Sequence, residues 1–363
     1  MRGYITQRAK GSWSISIYLG KDSITNKKKY KWYTVKGSKK EADKFLTEKL
    51  NEIENGIFVD SKNMTLAEYL NYWYEQCCIN KLSPTTYESY KRNIDKYIIP
   101  QLGNVKLSNL LPLQLQSFYN SLTTTLSNTS IVYIHRILHS ALNQAMKWDL
   151  VVRNVANNVE PPKKDKYKAT ILDSKQLSKL IEAIKDTYIY IPVMIAISTG
   201  MRRGEVLGLM WENIDLENAT LKVVQAVYPT KNGLVVLPPK TNTSIRKISL
   251  PPTLIDILRK YQNRNGHLSK YVCTLEDGTL ISPSSLNHKF KQVLQDNNLP
   301  SIRFHDLRHS HASLLLSQGV QAKVISERLG HSNINITMDL YSHIYEATNI
   351  EVANNFDVFL KTS

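Results

Sequence analysis

Alternating polar and apolar residues near the start of the chain predict a small β-sheet. Residues 12–18 read Ser-Trp-Ser-Ile-Ser-Ile-Tyr, and residues 30–35 form a second strand-like run after a polar turn. The spacing of apolar residues over 39–54 predicts a helix, which Gly56 would stop. We therefore predict three short strands and a helix within residues 1–58.

From Thr65 onward the apolar residues recur at helical spacing. The predicted helices of this part lie at residues 65–73, 87–99, 113–122 and 128–148, and the second of them should end at Pro100. Residues 160–168 are short, basic and interrupted by two prolines, which is typical of a domain boundary. We accordingly predict domains at residues 1–58, 62–160 and 166–363.

The last predicted domain is rich in helices. An apolar helix over 191–198 should end at Thr199-Gly200, and a second helix should cover 203–211. Strand-like runs at 221–227 and 234–237 flank Asn232-Gly233, a strong hairpin signal, and a third strand is predicted at 245–250. These patterns predict one small antiparallel sheet here. The fold class is multidomain and mainly α with small antiparallel sheets (α+β).

The charge of the chain indicates a polyanionic partner. Lys and Arg number 47 against 31 Asp and Glu, giving a net charge of +16 over 363 residues. The first forty residues alone hold eleven basic side chains against the single carboxylate of Asp22. Basic surfaces bind nucleic acid through the release of counterions. Lys28 and Lys31 in the predicted sheet, with Lys163 and Lys164 in the linker, are the candidate DNA contacts.

Other features narrow the class of protein. No apolar run approaches the length of about 20 residues that a membrane-spanning helix needs. The first residues lack the apolar region of a secretory signal. The cysteines are Cys77, Cys78 and Cys273, an odd number with two adjacent, which favours a reducing cytoplasm over a disulfide framework.

Three short motifs in the last domain carry the candidate chemistry. They are Thr-Gly-Met-Arg-Arg-Gly-Glu at 199–205, His-Asp-Leu-Arg-His at 305–309, and Leu-Gly-His at 329–331 with Tyr341 ten residues further on. Each motif alone has an ordinary structural explanation. Arg202 could cap a helix C-terminus by its charge, and His305 and Arg308 could form a solvated polar stripe on one helix face. Five of the nine histidines fall within 305–343, but their spacing does not match a zinc site and no metal is predicted.

Considered together, these residues suggest phosphoryl transfer without a metal. Guanidinium groups bind the non-bridging oxygens of a phosphodiester in pairs of hydrogen bonds. Tyrosine, with a pKa near 10, becomes a nucleophile when cations favour the phenolate and a histidine takes its proton. Lysine or histidine can protonate the leaving hydroxyl.

The motifs resemble those of the tyrosine recombinases, or phage integrase family, over essentially the whole chain. The three boxes occur in family order, with Lys240-Thr241, Arg246 and Ile248 between the first and second. The resemblance implies that Arg202 and Arg308 clamp the scissile phosphate. It further implies roles for the remaining site residues: Lys240 as the acid for the 5′-hydroxyl, His305 as acid/base, His331 as a phosphate hydrogen-bond donor, Tyr341 as the nucleophile that forms a 3′-phosphotyrosyl link, and Glu205 as the residue that orients Arg202 or its neighbours.

The same resemblance assigns the domains and partners. Residues 1–58 resemble an arm-type DNA-binding domain, residues 62–160 a core-binding domain of SAM-like helical type, and residues 166–363 the catalytic domain. It implies double-stranded DNA with core and arm sites as substrate, four protomers acting on a Holliday junction, no cofactor, and a bacterial cytoplasm near the nucleoid. Whether the protein also needs a DNA-bending host factor or a directionality factor stays open. The apolar tail after Tyr341 could pack on its own domain or on a neighbouring protomer.

Three other classes of protein are alternatives to an integrase. A host chromosome-dimer recombinase generally lacks the extra amino-terminal domain. A type IB topoisomerase shares the chemistry but not the modular layout. A non-catalytic DNA-binding protein on the same fold would not need the complete set of candidate residues.

Overall fold

The computed structural model describes most of the chain, namely residues 3–21, 28–54, 63–165, 170–239, 244–266, 268–331, 333–334 and 338. The chain divides into two compact units. The first contains Met1–Leu82 and Ser89–Lys164, and the second contains Ser83–Glu88 and Asp165–Ser363. The sequence also predicts a linker at residues 57–64, of which 57–62 lie outside the described residues.

The chain begins with an antiparallel three-stranded sheet followed by a helix, which confirms the prediction. The elements are β1 (Gly3–Ala9), β2 (Ser12–Lys21), β3 (Lys28–Lys36) and α1 (Lys39–Glu54), with β2 in the centre of the sheet. Ile15 and Ile17 on β2 are fully buried with Ala42 of α1, and Phe45 packs against the same cluster. Side chains alternate between the faces of a strand, so the alternation in the sequence directs one face toward α1.

The strand register assigns the side chains to the two faces of this sheet. Ile17 pairs with Lys31, which places Lys31 on the face that packs against α1. Ser16 pairs with Trp32 on one side and with Tyr4 on the other, all on the opposite face. Trp32 is 63% exposed and Tyr4 is 60% exposed. The face away from α1 therefore combines exposed aromatic rings with small hydroxyl side chains.

The rest of the first unit is helical. Its elements are α2 (Leu66–Trp73), a π-helical turn (Tyr74–Cys78), α3 (Ile79–Lys81), the part of α4 (Pro84–Asn93) that follows Glu88, a second π-helical turn (Ile94–Ile98), α5 (Ile99–Leu102), a 3₁₀ turn (Leu107–Asn109), α6 (Pro112–Leu122), α7 (Asn128–Lys147) and a 3₁₀ turn (Val155–Asn158). A reciprocal pair of hydrogen bonds between Thr65 and Glu68 caps the start of α2. The buried Tyr69 hydroxyl donates to the carbonyl of Ala141 and so joins α2 to α7.

The prediction that a helix ends at Pro100 is wrong. The helical path continues through α5 to Leu102. Pro100 is the second residue of α5, and only Ile99 separates it from the π-helical turn Ile94–Ile98. Early helix positions tolerate a residue without an N–H group, so proline at this place does not break the chain path.

The second unit surrounds a large apolar core with helices. Its elements are α8 (Ser174–Ile184), α9 (Tyr190–Thr199), α10 (Arg203–Leu207), a 3₁₀ turn (Trp211–Asn213), β4 (Ile214–Asp215), β5 (Thr220–Val223), β6 (Ala226–Thr230), β7 (Gly233–Leu237), β8 (Arg246–Ser249), α11 (Pro252–Asn265), α12 (Pro283–Asp296), α13 (Asp306–Ser317) and α14 (Ala322–Leu329). Most residues of α9 are buried, because this helix is apolar on nearly all sides.

The prediction of a single sheet in this unit is wrong. The strands form two sheets, β4-β5-β8 and β6-β7. Val223 ends β5 paired with Arg246, whereas Ala226 begins β6 paired with Leu237. Between them the Gln225 side chain donates to the carbonyl of Gly208 at 2.8 Å, so the chain leaves the first sheet there. The hairpin itself is confirmed, with Gly233 as the first residue of β7.

Two further predictions need correction. The helix predicted over 203–211 ends at Leu207, because Gly208 packs against the backbone of β6, where an added Cβ would lie 3.1 Å from the Ala226 Cα. The sequence pattern also predicts that Leu307, His311, Leu314 and Leu315 share one core-like helix face, but Leu314 is 49% exposed. Among the described residues, no helix combines the length and the apolar character that crossing a membrane requires.

Candidate active site

Arg202 follows a tight turn at the end of α9. Gly200 closes that helix in the left-handed conformation, with φ +67°. A Cβ on Gly200 would lie 2.4 Å from Leu329 and 2.8 Å from the His311 ring, so only glycine fits here. The Arg202 guanidinium donates from Nη2 to the carbonyl of Gly330 at 2.8 Å. The turn thus connects Arg202 to the chain just before His331.

Glu205 is a buried carboxylate that holds Arg202. Its Oε1 accepts from Arg202 Nη1 at 2.8 Å, and its Oε2 accepts from the Arg202 backbone N–H at 2.9 Å. Burial acts to raise the pKa of Glu205, but the hydrogen bond and charge of Arg246 and the charge of Arg202 outweigh it and lower the pKa. The carboxylate is therefore ionised and fixes the guanidinium of Arg202 in one orientation.

Arg246 is a functional residue whose role the sequence did not indicate. It lies on β8, is buried, and donates from Nη2 to Glu205 Oε2 at 2.8 Å. Its Nε donates to the carbonyl of Arg328 at 2.7 Å, and its Nη1 donates to the carbonyl of Ser244 at 3.0 Å. The only sequence signal was its place in the motif after Lys240. In the structure Arg246 joins α10, β8 and the end of α14.

Arg308 lies in the first turn of α13 and is only 3% exposed. Its Nη1 donates to the carbonyl of Gly200 at 2.9 Å and to the carbonyl of Leu329 at 2.8 Å. These carbonyls belong to the ends of α9 and α14, where the helix dipole is negative and a cation is favoured. The explanation of this residue as part of a solvated stripe is thereby excluded.

The histidines near these arginines are held in the neutral form. Burial, followed by the charges of neighbouring groups that include Arg308, lowers the pKa of His305 to about 4. Burial, followed by the charges of Arg308 and Arg202, lowers the pKa of His331 to about 3. The rings of His305 and His309 stand perpendicular with their centroids 5.3 Å apart. In the free protein at neutral pH, the arginines and not these histidines therefore supply positive charge in the described part of the site.

His311 and Arg328 support the site from behind. His311 Nδ1 donates to the carbonyl of Ile197 at 2.7 Å, and Arg328 Nε donates to His311 Nε2 at 3.1 Å. These two contacts assign the ring proton to Nδ1. Arg328 also donates to the carbonyl of Ser198 at 3.0 Å. The pair connects the last turn of α9 to the last turn of α14.

A cavity of about 770 Å³ opens beside Arg202 and His305. It is lined on one side by residues of β6 and on another by residues of α12, including Lys291. Arg203 and Arg303 add further positive charge to the wall. Cations next to neutral imidazoles are suited to bind and react with an anion.

The structure brings five of the predicted site residues into one place: Arg202, Glu205, His305, Arg308 and His331. Lys240 and Tyr341 lie outside the described residues. Of the candidate DNA contacts, Lys163 and Lys164 are exposed in an extended segment. Lys31 lies over the ring of Tyr33, with its Nζ 5.7 Å from the centroid. No cluster of metal-ligating side chains occurs within the described part of the chain.

Comparison with known proteins identifies the family. Residues 170–348 match the phage integrase family, and residues 65–123 match the N-terminal SAM-like domain of phage integrases. A protein described as tyrosine recombinase XerC-like from Caldanaerobacter subterraneus is 29% identical, with 93% of this chain and 94% of that protein covered. The ICEBs1 integrase of Bacillus subtilis is 26% identical, with coverages of 96% and 98%.

Solved structures share the fold. The Tn1549 transposon integrase, in complex with a circular intermediate DNA, has a TM-score of 0.70 and 19% identity, covering 80% of this chain and 99% of that one. The lambda integrase tetramer bound to a Holliday junction has a TM-score of 0.61 and 17% identity, with coverages of 91% and 95%. The two family matches, together with the arginine-rich site, define an integrase. The chain belongs to the phage integrase family of tyrosine recombinases.

Proposed function

We propose that this integrase cuts and rejoins duplex DNA through a covalent bond between Tyr341 and a 3′-phosphate, and so inserts a phage or another integrative element. The observation that supports the chemistry best is the fixed pair of guanidinium groups, Arg202 and Arg308. Both are anchored on main-chain carbonyls at the ends of α9 and α14. Anchored donors stabilise the charge that develops in a transition state without having to reorganise.

The reaction balances without a cofactor. Tyr341 attacks phosphorus, its phenolic proton passes to His305, and a bond forms between the phosphorus and the tyrosine oxygen. The bond to the 5′-oxygen breaks, and Lys240 gives that oxygen a proton. His331 donates a hydrogen bond to a non-bridging oxygen. Rejoining is the reverse reaction with a 5′-hydroxyl from another strand, so the phosphodiester energy is kept.

The low pKa values of His305 and His331 fit this scheme once the DNA is bound. A phosphodiester beside the two rings carries negative charge, and negative charge favours the protonated form of imidazole. Docking of the DNA therefore raises the pKa of both histidines from the low values of the free protein. His305 becomes a better base in the complex than it is in the free enzyme.

The remaining parts of the chain are proposed to hold the DNA. The sheet of β1, β2 and β3 would bind arm sites, with Lys28 on the same face as Trp32 by strand alternation. Lys163 and Lys164 would neutralise backbone phosphates between the domains. Four protomers are proposed to act together, as in the lambda integrase tetramer on a Holliday junction. The domain limits 1–58, 62–160 and 166–363 remain part of this proposal.

The test uses a duplex with the attachment site and a nick just beyond the cleavage point, so that the covalent product accumulates. In EDTA and without ATP, the wild-type protein should give an adduct that survives boiling in detergent. Tyr341→Phe should give no adduct but should bind the same duplex in a gel shift. Tyr345→Phe is the matched control, because it removes the neighbouring tyrosine, and it should retain the adduct. Binding by wild type without any adduct would instead favour a non-catalytic DNA-binding protein.

A further inference from the structure

The cavity beside the active site carries more positive charge than the reacting phosphate needs. Besides Arg202, its wall contains Arg203, Lys291 and Arg303. We propose that these three residues form a second phosphate position, which binds the DNA backbone next to the scissile phosphate, with Arg303 as its main contact. This inference rests on the proposed function and adds a binding site to it.

Arg303 is held in place by a buried carboxylate. Arg303 donates from Nη2 to Asp306 Oδ1 at 2.9 Å and from Nε to Asp306 Oδ2 at 3.2 Å. The Arg303 backbone N–H also donates to Asp306 Oδ2, at 2.7 Å. The Asp306 side chain is fully buried, whereas that of Arg303 is 57% exposed. The pair thus buries its negative end and presents its positive end to solvent.

This asymmetry favours a ligand role over a purely structural one. An exposed ion pair between two flexible side chains contributes little to stability. Here the carboxylate is immobile, and it fixes the planar guanidinium in one orientation. Guanidinium groups that are already oriented lose less entropy when they bind phosphate oxygens. Arg303 is therefore prepared to receive an anion at its exposed edge.

The composition of the wall indicates the chemical class of the anion. Four basic side chains line the cavity against the one carboxylate of Asp306, which is already engaged with Arg303. The rest of the lining includes apolar side chains, among them Phe290, Ile302 and Phe304. A cavity of about 770 Å³ also exceeds the space that one phosphate group fills. A phosphate with its attached deoxyribose matches both the charge and the apolar surface.

The test measures DNA affinity as a function of salt concentration for variants of the full chain in which one basic side chain is replaced by glutamine. Lys291→Gln and Arg303→Gln should each lower the slope of log affinity against log salt by about one. Each should also weaken binding by about tenfold at a fixed salt concentration. Lys289→Gln is the matched control, since Lys289 is on the same helix as Lys291 but does not line the cavity. It should leave the affinity within about twofold of wild type.

A second arm locates the contact on the DNA. One phosphate at a time is replaced by an uncharged methylphosphonate on either side of the scissile position. At one flanking position, the methylphosphonate should lower the DNA affinity of the protein with Arg303 intact by about tenfold. It should cause no further loss of affinity in Arg303→Gln. Lys291→Gln gives the same information if Arg303→Gln, which removes two side-chain hydrogen bonds to the buried Asp306, does not fold. Full additivity at every flanking position, or a salt slope equal to that of Lys289→Gln, would overturn the proposal.

These outcomes are independent of the cleavage reaction. The affinities of the protein variants for normal and methylphosphonate DNA are measured by gel shift. All variants also carry Tyr341→Phe, so the measurement does not require the covalent step. Failure of the proposed function would appear as a missing adduct with wild type and unmodified DNA. If only the second phosphate position is wrong, wild type still forms the adduct, but the affinity losses from Arg303→Gln and from the methylphosphonate add fully at every position.

Discussion

Glu205 and Arg246 form a buried ion pair, with 2.8 Å between Oε2 and Nη2. Glu205 also holds Arg202, and Arg246 also donates to the carbonyl of Arg328, so this one pair connects Arg202 to α14. The orientation of Arg202 therefore depends on the last turn of α14. A substitution at Arg202 or in the last turn of α14 is therefore expected to alter the geometry at the other end of this chain of contacts.

Arg246→Met should destabilise the protein strongly. It removes three hydrogen bonds and leaves Glu205 buried without its partner on β8. Breaking a buried pair in this way costs about 3–5 kcal/mol. Urea unfolding of the full chain measures the loss. Lys247→Met is the matched control, because the next residue on β8 is exposed and points to the other side. Equal losses for the two variants would contradict the role assigned to Arg246.

The stability of the free protein should fall as the pH is lowered from 7 to 4. Burial, followed by the charge of Arg328, lowers the pKa of His311 to about 4, whereas the ordinary value is 6.5. Between these values the unfolded chain binds a proton that the folded chain does not, so acid favours unfolding. The contribution of each such histidine is at most about 1.4 kcal/mol per pH unit.

His311→Gln tests this dependence. The slope of unfolding free energy against pH should decrease between pH 4 and 6.5, as measured by urea unfolding at a series of pH values. His288→Gln, which removes an exposed histidine of α12, is the matched control for the substitution itself. A slope in His311→Gln equal to that of wild type would show that this histidine binds protons equally in the folded and unfolded chains, which would contradict a lowered pKa.

Gly200→Ala should cost more than an ordinary glycine replacement. Both Gly200 and Gly319 have positive φ, at +67° and +77°, so alanine at either place carries about 1 kcal/mol of backbone strain. Only at Gly200 would the new Cβ meet other atoms, those of Leu329 and His311. Overpacking adds about 1–3 kcal/mol. Thermal unfolding of Gly200→Ala and Gly319→Ala should separate the two effects, and equal melting temperatures would contradict the clash.

Trp32→Ala should weaken binding to arm-site DNA without loss of stability. The Trp32 side chain is exposed on the face away from α1, and a single lost base contact reduces affinity by about tenfold. Tyr33→Ala should behave in the opposite way, because Tyr33 packs edge-on against Phe45 with ring centroids 5.4 Å apart. Gel shifts with arm DNA and urea unfolding distinguish them. A large loss of stability in Trp32→Ala would count against an uncovered recognition face.

Local pattern was enough to predict much of this fold. The alternation in β2 and the apolar run of α9 each bury their side chains as expected, because such elements are defined by neighbours in sequence. The two-sheet arrangement was missed, since the run from Leu221 to Val227 reads as one strand and its division depends on a contact with Gly208. Pro100 was misjudged because the π-helical turn before it has no clear sequence signature.

The candidate site was predictable to the extent that motifs identify it. Arg202, Glu205 and Arg308 stand in the boxes that resemble the family, and they come together in the structure. The network behind them was not predictable, because Arg246 and Arg328 act through carbonyls far away in sequence. Backbone carbonyls are the same in every residue type, so no sequence pattern reveals which of them a buried arginine will reach.

The two faces of the first sheet have different freedom to change. Substitutions at Ile15 or Ile17 disturb packing with α1, whereas substitutions at the exposed Tyr4, Trp32 or Thr34 change the face that does not pack against α1. If this face binds arm sites as proposed, evolution can revise which DNA sequence an arm site must have while the scaffold stays constant. An engineer could likewise randomise this face alone and select integrases that are directed to new arm sites.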